Sequence, residues 1–408
     1  FKTEYEYDPR DHLTKLKEYK APQDSPAVYD STLYAYNLHD RLSSQTNALG
    51  QTTYYTYCMD RLVKTTYPND AYDSLGYWDN GSLKFKYDRK KMVTGYEYDG
   101  YSGGCLCASR YRLTKKKYYT TWYNYSINNP HDSVAYEYDK VGNRTKMLDS
   151  LGATVYSYDG LYRLQSDSCG YLNTKNRYQY DMAGNRTRLK VYQGDDTTTC
   201  YLDQTYDNYD AANRVGRTIA SGDTFDLNYW DTGTPKEVQY PNGAKEVYGL
   251  NLRGQLDSIA TTLGDTLTWF KHKYGYNGLG DREWQYIYQT RPEVSTLSDT
   301  FKYSYDGLRR LTTAIYPPST NSGDTVTYVY DAMGNRLEKQ SVVNGTTSYT
   351  IDNATNRMTQ IGGYYFNYDS CGNWTRKWHG DTPVTDIILS YDYENRLTDA
   401  RGPGYNPY

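Results

Sequence analysis

The sequence predicts an all-β protein built as a tandem array of short strands. Three observations carry that reading: Tyr supplies 53 of the 408 residues, a Tyr-x-Tyr-Asp phrase returns along the whole chain, and turn-forming residues follow each copy.

Composition first points two ways. Leu, Ile, Val and Phe come to about 15% of the chain, a level expected of disordered sequences. Disorder also needs high net charge and few aromatics, whereas here the net charge is -3 and aromatics make up 16%. Tyr therefore buries what aliphatics bury elsewhere, provided each phenol hydroxyl keeps water or a partner. With 46 Lys+Arg against 49 Asp+Glu, no basic excess argues for a nucleic-acid partner or an anionic membrane surface. No stretch approaches about 18 uninterrupted apolar residues, so no transmembrane helix is read.

The phrase stands as YEYDPRDHL from Tyr5, YAYNLHDRL from Tyr34, YTYCMDRL from Tyr55 and YEYDKVGNRT from Tyr136. It continues as YSYDGLYRL from Tyr156, YQYDMAGNRT from Tyr178, YSYDGLRRL from Tyr303 and YVYDAMGNRL from Tyr328. Weaker copies lie near Tyr209, Tyr349, Tyr368 and Tyr391, with decayed units around Trp230, Asn251 and Asn277 and a degraded copy near Tyr123. The Asp or its substitute falls at 8, 37, 58, 79, 99, 139, 159, 181, 210, 306, 331, 352, 369 and 392. Residues 1–408 thus read as one continuous array of about 17 to 19 units of roughly 20 residues, with no second domain.

The signature residues form five sets. They are Tyr136, Tyr138, Asp139, Gly142, Asn143 and Arg144; Tyr156, Tyr158, Asp159 and Arg163; and Tyr178, Tyr180, Asp181, Gly184, Asn185 and Arg186. Further along stand Tyr303, Tyr305, Asp306 and Arg310, then Tyr328, Tyr330, Asp331, Gly334, Asn335 and Arg336.

Each element of a unit has a physical reason. In Tyr-x-Tyr both rings fall on one side of an extended strand. The Asp bonds its own downstream backbone, and the Gly or Asn after it accepts a positive φ. Arg-Leu or Arg-Thr then opens a second strand, so about 20 residues make two strands and two turns. Consecutive units are expected to pair antiparallel, with Tyr156 and Tyr158 stacked against Tyr136, Tyr138, Tyr178 and Tyr180. No segment shows helical spacing with caps, and Lys115 to Tyr119 reads as a charged strand edge.

The Tyr-Asp-x-x-Gly-Asn-Arg phrases at 138–144, 180–186 and 330–336 resemble the YD repeats of the RHS family. That family includes bacterial polymorphic toxins, the toxin-encasing components of Tc complexes, wall-associated proteins and the animal teneurins. The segment at 240–256 resembles its Pro-Asn/Asp-Gly variety of repeat. The resemblance covers essentially the whole chain. It implies an antiparallel ribbon spiralling into a hollow shell, barrel or tube, in a secreted or cell-surface setting. In toxin members the shell encloses a C-terminal effector, so the implied partners are the remainder of a longer chain and that effector. Toxin-type cores close with an Asp-Pro-x-Gly…Gly-Gly-x-Asn-x-Tyr segment that serves self-cleavage. Here residues 402–408 read GPGYNPY, no position matches, and no catalytic aspartate is carried over. The chain opens at Phe1 inside a repeat without Met or signal peptide, which suggests a segment truncated at both ends whose outer strands need partners.

The remaining chemistry is sparse. His12, His39, His131, His272 and His379 lack metal-ligand spacing. Among Cys58, Cys105, Cys107, Cys169, Cys200 and Cys371, the Cys105/Cys107 pair has no second pair at finger spacing, which favours thiols or disulfides over metal. GYSGG at 100–104 places Ser102 in a literal nucleophile-elbow string, but no helix opens after it. Asp195 and Asp196 are adjacent, yet turn roles account for the repeat aspartates. Glycosylation sequons at Asn80, Asn124, Asn143, Asn185, Asn344, Asn353 and Asn373 are partly a by-product of the repeat. The reading is a non-catalytic shell scaffold without metal or cofactor. The alternatives are an adhesion or glycan-binding module, for which Tyr and the Trp374/Trp378 pair argue, or a self-associating fibre or tube.

Overall fold

Strand dominates, as the tyrosine pattern requires. The computed structural model describes residues 2–19, 29–100, 112–194, 199–264, 267–291, 294–318, 323–380 and 382–403. Of these residues 62% are strand and 2% helix. The described residues form thirty-four strands, many of them joined to the next by a tight turn. Gly152–Tyr158 pairs antiparallel with Leu164–Cys169, which pairs in turn with Thr174–Tyr180. The described residues group into two compact units: Phe1–Glu97 with Lys117–His131 and Tyr303–Tyr408, and Tyr98–Lys116 with Asp132–Lys302.

Period-two alternation sorts the faces. Tyr156 and Tyr158 are half-buried while Val155 and Ser157 are exposed, and Gln179 and Val329 are exposed between their own tyrosine pairs. The two rings of a phrase do share a face. At the second Tyr the register slips: Ser157 opposes Ser166 but Tyr158 opposes Leu164, leaving Gln165 as the extra residue of a bulge. The same bulge precedes Tyr138, Tyr180, Tyr330 and Tyr391. A bulge bends its strand and raises the local twist, so the array receives the same bend again and again.

The core is thin. Val93, Ala314, Val326, Tyr118 and Tyr119 are among the few apolar side chains fully buried, while Leu148, Val155 and Val329 stay exposed. Stability must therefore come from the ladder hydrogen bonds and the half-buried phenols rather than from a packed interior.

Three expectations need correction. The degraded copy near Tyr123 is a short helix, Trp122–Ser126, capped by the Thr121 side chain and followed by Asn128 at a φ of 52°. Its rings pack on the sheet, Trp122 edge-on to Phe85 at 4.9 Å and Tyr125 edge-on to Tyr119 at 5.2 Å. The Asp position assigned to 79 is taken by Trp78, whose backbone closes the turn with Ser82 and Gly81. Finally, Leu113–Tyr119 is a strand but not a charged edge throughout, since Tyr118 and Tyr119 are each 3% exposed.

Within the first unit, two segments far apart in sequence meet. Lys90 Nζ lies 2.8 Å from Asp369 Oδ2, and Arg89 donates to the Cys371 carbonyl at 3.2 Å. Nearby in chain order, Tyr118 donates its hydroxyl to Glu394 at 2.7 Å and stacks on Tyr393 at 5.4 Å.

Candidate functional site

The signature residues gather into a clamp repeated along the chain. At its base is a four-residue turn. Asp159 N–H donates to the Arg163 carbonyl and Tyr162 N–H donates back to the Asp159 carbonyl. Asp159 Oδ1 accepts the backbone N–H groups of Leu161 at 2.9 Å and Arg163 at 3.0 Å. The third turn position needs a positive φ, which Gly142, Gly184 and Gly334 supply and which Tyr162 (63°) and Arg309 (61°) adopt against their preference. Asn does the same work as Asp at 37, 47, 251 and 277, because only the Oδ1 acceptor is needed. The decayed units at Trp230, Asn251 and Asn277 keep this turn, and it also occurs at Asn47, Tyr67, Asp88 and Tyr240, outside the phrase.

The second carboxylate oxygen decides what the clamp holds. In one version it accepts from an Arg four residues on: Asp159 Oδ2 from Arg163 Nε at 2.7 Å, and Asp306 Oδ2 from Arg310 Nε at 2.7 Å. That Arg then reaches into the next unit. Arg163 donates to the Asp181 carbonyl at 2.7 Å and its guanidinium lies 4.8 Å from the Tyr180 ring centre; Arg310 does the same with Asp331 and Tyr330. In the other version an Asn replaces the Arg. Asn143, Asn185 and Asn335 each donate to the Oδ2 of Asp139, Asp181 and Asp331. Asn185 also bonds Asn213, and Asn335 bonds Asn356, in the following unit. The Arg after the Asn stacks on tyrosine: Arg144 on Tyr136 at 4.6 Å, Arg186 on Tyr206 at 4.8 Å, Arg336 on Tyr328 at 4.5 Å.

The second Tyr of the phrase closes the clamp. Its hydroxyl donates to the carbonyl that opens the second strand of the preceding unit: five residues after the Asp for Tyr158 to Arg144, Tyr180 to Leu164 and Tyr330 to Leu311, and fourteen after Asp99 for Tyr138 to Leu113. Tyr303 and Tyr305, on Val294–Tyr305, are half-buried like the others. The expected ring-on-ring ladder is not what joins the units, for no ring pair forms among Tyr136, Tyr138, Tyr156, Tyr158, Tyr178 and Tyr180. The joint is made of phenol hydroxyls, guanidinium faces and backbone carbonyls. A sequence shows which residues recur but not that a hydroxyl points one unit back.

Electrostatics follow from the same contacts. The Arg163 backbone and guanidinium hold the Asp159 carboxyl below the usual carboxylate range, the Asn185 side chain does so for Asp181, and the Arg214 backbone for Asp210. Burial, helped by the Asp167 carboxylate 2.8 Å away, pushes the Tyr178 phenol up to about 12. Burial and Asp73 push Tyr67 to about 12 in the same way. These groups spend their hydrogen-bonding capacity on one another, which suits them to holding the array in register.

The other residues singled out in sequence stand apart. His12 bonds Asp8 at 3.0 Å and stacks on Tyr36 at 4.5 Å. His131, His272 and His379 lie against Tyr393, Tyr274 and Tyr364. Cys58, Cys169, Cys200 and Cys371 are free thiols. Among the described residues, no group of three or more His, Cys, Asp or Glu is placed to hold a metal ion. Ser102, Cys105, Cys107, Asp195 and Asp196 lie outside the described residues.

No protein-family profile matches the chain, and no curated protein does. Solved structures do match. The crystal structure of TcdB2-TccC3 aligns over 97% of this chain and 23% of that chain, with a TM-score of 0.75 at 15% identity. The same complex without its hypervariable C-terminal region gives 0.76 at 16% identity, again over 97% and 23%. The Photorhabdus luminescens Tc holotoxin pore gives 0.62 at 14% identity over 97% and 22%. The chain, which spans about a quarter of the length of these solved chains, has the RHS-repeat β-shell fold.

Proposed function

We propose that this chain is a non-catalytic wall segment of a longer RHS-type shell that encloses or displays a polypeptide, in a toxin-delivery setting outside the cell. The observation that carries the proposal is the clamp, which binds each unit to the next through Arg163 to Asp181, Arg310 to Asp331 and their equivalents. Such joints suit a wall, because they spread stiffness evenly and leave one sheet face free of packing. The likeness to TcdB2-TccC3 over 97% of the chain supports the same reading, and that complex carries a hypervariable C-terminal region. The partners are then the rest of the longer chain and the polypeptide inside it.

The test is limited proteolysis of the full reading frame, read by mass spectrometry. A segment outside residues 1–408 should resist protease together with the array, and the double variant Arg163→Ala, Arg310→Ala should expose it. Digestion of every outside segment while the array stays intact would remove the enclosure. The chain alone should turn over no peptide, ester or glycoside substrate, and turnover lost on mutating Ser102 or a repeat aspartate would make it an enzyme.

A further inference from the structure

One face of the second unit has a different character from the clamps. On Leu267–Tyr276, Arg282–Arg291 and Val294–Tyr305, Lys271 opposes Tyr288, Lys273 opposes Tyr286, and Gly275 opposes Trp284. On the other side Trp284 opposes Lys302, Tyr286 opposes Thr300, and Tyr288 opposes Ser298. Directly opposed residues project to the same side of a sheet. Three aromatic rings and three lysines therefore share a face, opposite the one on which Asp299 and Phe301 are buried. Lys271, Lys273, Trp284, Tyr286, Tyr288 and Thr300 help line a cleft of 590 Å³ there.

The platform is fixed in place. A Cβ on Gly275 would come within 1.9 Å of Trp284 Nε1, so the indole occupies the space that the missing side chain leaves, and Trp284 remains 38% exposed. Tyr286 shares a hydrogen bond with Ser298 at 3.0 Å, and Tyr288 accepts one from Thr290 at 3.1 Å. The lysines are in contrast uncommitted. Lys90, Lys146, Lys190 and Lys245 all face carboxylates, whereas Lys271, Lys273 and Lys302 have none among the described residues.

We propose that this cleft binds an acidic saccharide, such as a uronic-acid oligomer. Sugar C–H faces stack on the rings of Trp284 and Tyr288, hydroxyls meet Thr300 and Tyr286, and carboxylates meet the ammonium groups of Lys271 and Lys273. Rings two residues apart along a strand are about 7 Å apart, which suits successive units of an extended chain. An acidic peptide fits less well, because the backbone groups of these strands are spent in the ladder and the cleft offers a sheet face rather than an edge. The balanced charge of the chain argues against nucleic acid.

The test titrates the chain with a galacturonic-acid hexamer, followed by tryptophan fluorescence and calorimetry, beside maltohexaose and a six-residue oligothymidylate. The acidic hexamer should bind and the other two should not. Lys271→Gln with Lys273→Gln should weaken binding about tenfold and flatten its salt dependence. Trp284→Ala should also weaken it about tenfold, with circular dichroism confirming that both variants keep their strand content. No binding of the hexamer, equal binding of maltohexaose or the oligonucleotide, or unchanged affinity in the folded variants would overturn the proposal. None of these results bears on the scaffold reading, which rests on the clamps.

Discussion

Tyr180 donates its phenol hydroxyl to the carbonyl of Leu164, 2.8 Å away and one unit back in the chain. The bond sits beside the bulge at Gln165, where the regular ladder is interrupted, and a phenylalanine cannot make it. Tyr180→Phe should therefore cost about 1 kcal/mol, the net worth of one hydrogen bond. Tyr156, whose hydroxyl has no such partner, supplies the control, and Tyr156→Phe should cost close to nothing. Urea unfolding curves compare the two, and equal costs would show that the hydroxyl ties do not hold the units.

Acid should loosen the turns. Asp159, Asp181 and Asp210 have carboxyls held below their ordinary range, Asp159 and Asp210 mainly by the backbone N–H groups they accept and Asp181 mainly by Asn185. A depressed folded value adds stability above the unfolded value of about 4 and loses it as pH falls through the folded value. The urea midpoint should be flat from about pH 7 to about pH 5 and fall steadily below about pH 4. Asp181→Asn should lower the plateau and shrink the fall. A midpoint independent of pH down to about 3 would count against this account.

Alkali acts on the buried phenols. Burial raises Tyr67, Tyr119, Tyr178 and Tyr248 to about 12, with Asp73, Asp167 and Glu246 adding to it for Tyr67, Tyr178 and Tyr248. A raised folded value contributes stability that is complete below the unfolded value of about 10 and is lost as pH rises towards the folded one. Phenolate absorbance should show a late-titrating group in the folded chain that merges with the rest in urea. A single transition near pH 10 in both states is the contrary result.

The contact between residues 88–90 and 369–371 should behave as one local opening unit. Lys90→Met removes the partner of Asp369 and leaves a partly buried carboxylate without its cation. Amide hydrogen exchange should quicken in both segments together and stay unchanged around Asp159. Acceleration confined to residues 88–91 would mean that the two segments are independent.

Sequence carried much of this fold and stopped at identifiable points. Tyr156 and Tyr158 share a face because alternation is a property of any strand, so their placement is readable from spacing alone. The turn at Asp159 is readable because Asp and a following left-handed residue make it locally. The Tyr180–Leu164 tie is not, because the bulge that aims it arises only when two strands pair. Trp122–Ser126 had local signals that repeat periodicity concealed: a Thr cap at 121 before it, and Asn128 with Pro130 after it. The meeting of Lys90 with Asp369 leaves no trace in the order of residues, since both sit in ordinary turns.

The direction of the clamps bears on how the chain comes to be folded at all. Arg163 reaches 18 residues forward and Tyr180 reaches 16 back, so a unit is finished as soon as the next one exists. Contacts this local keep the entropy cost of closure small and allow the array to settle from one end while synthesis continues. Pulling forces on the nascent chain should then recur with the period of the repeat. Late contacts break that rhythm: Arg89 waits 282 positions for the Cys371 carbonyl, and Tyr118 waits 276 for Glu394. Until that stretch emerges from the ribosome, the turn at 88–91 is a sticky end in the cell, and this is where a chaperone would have most to shield.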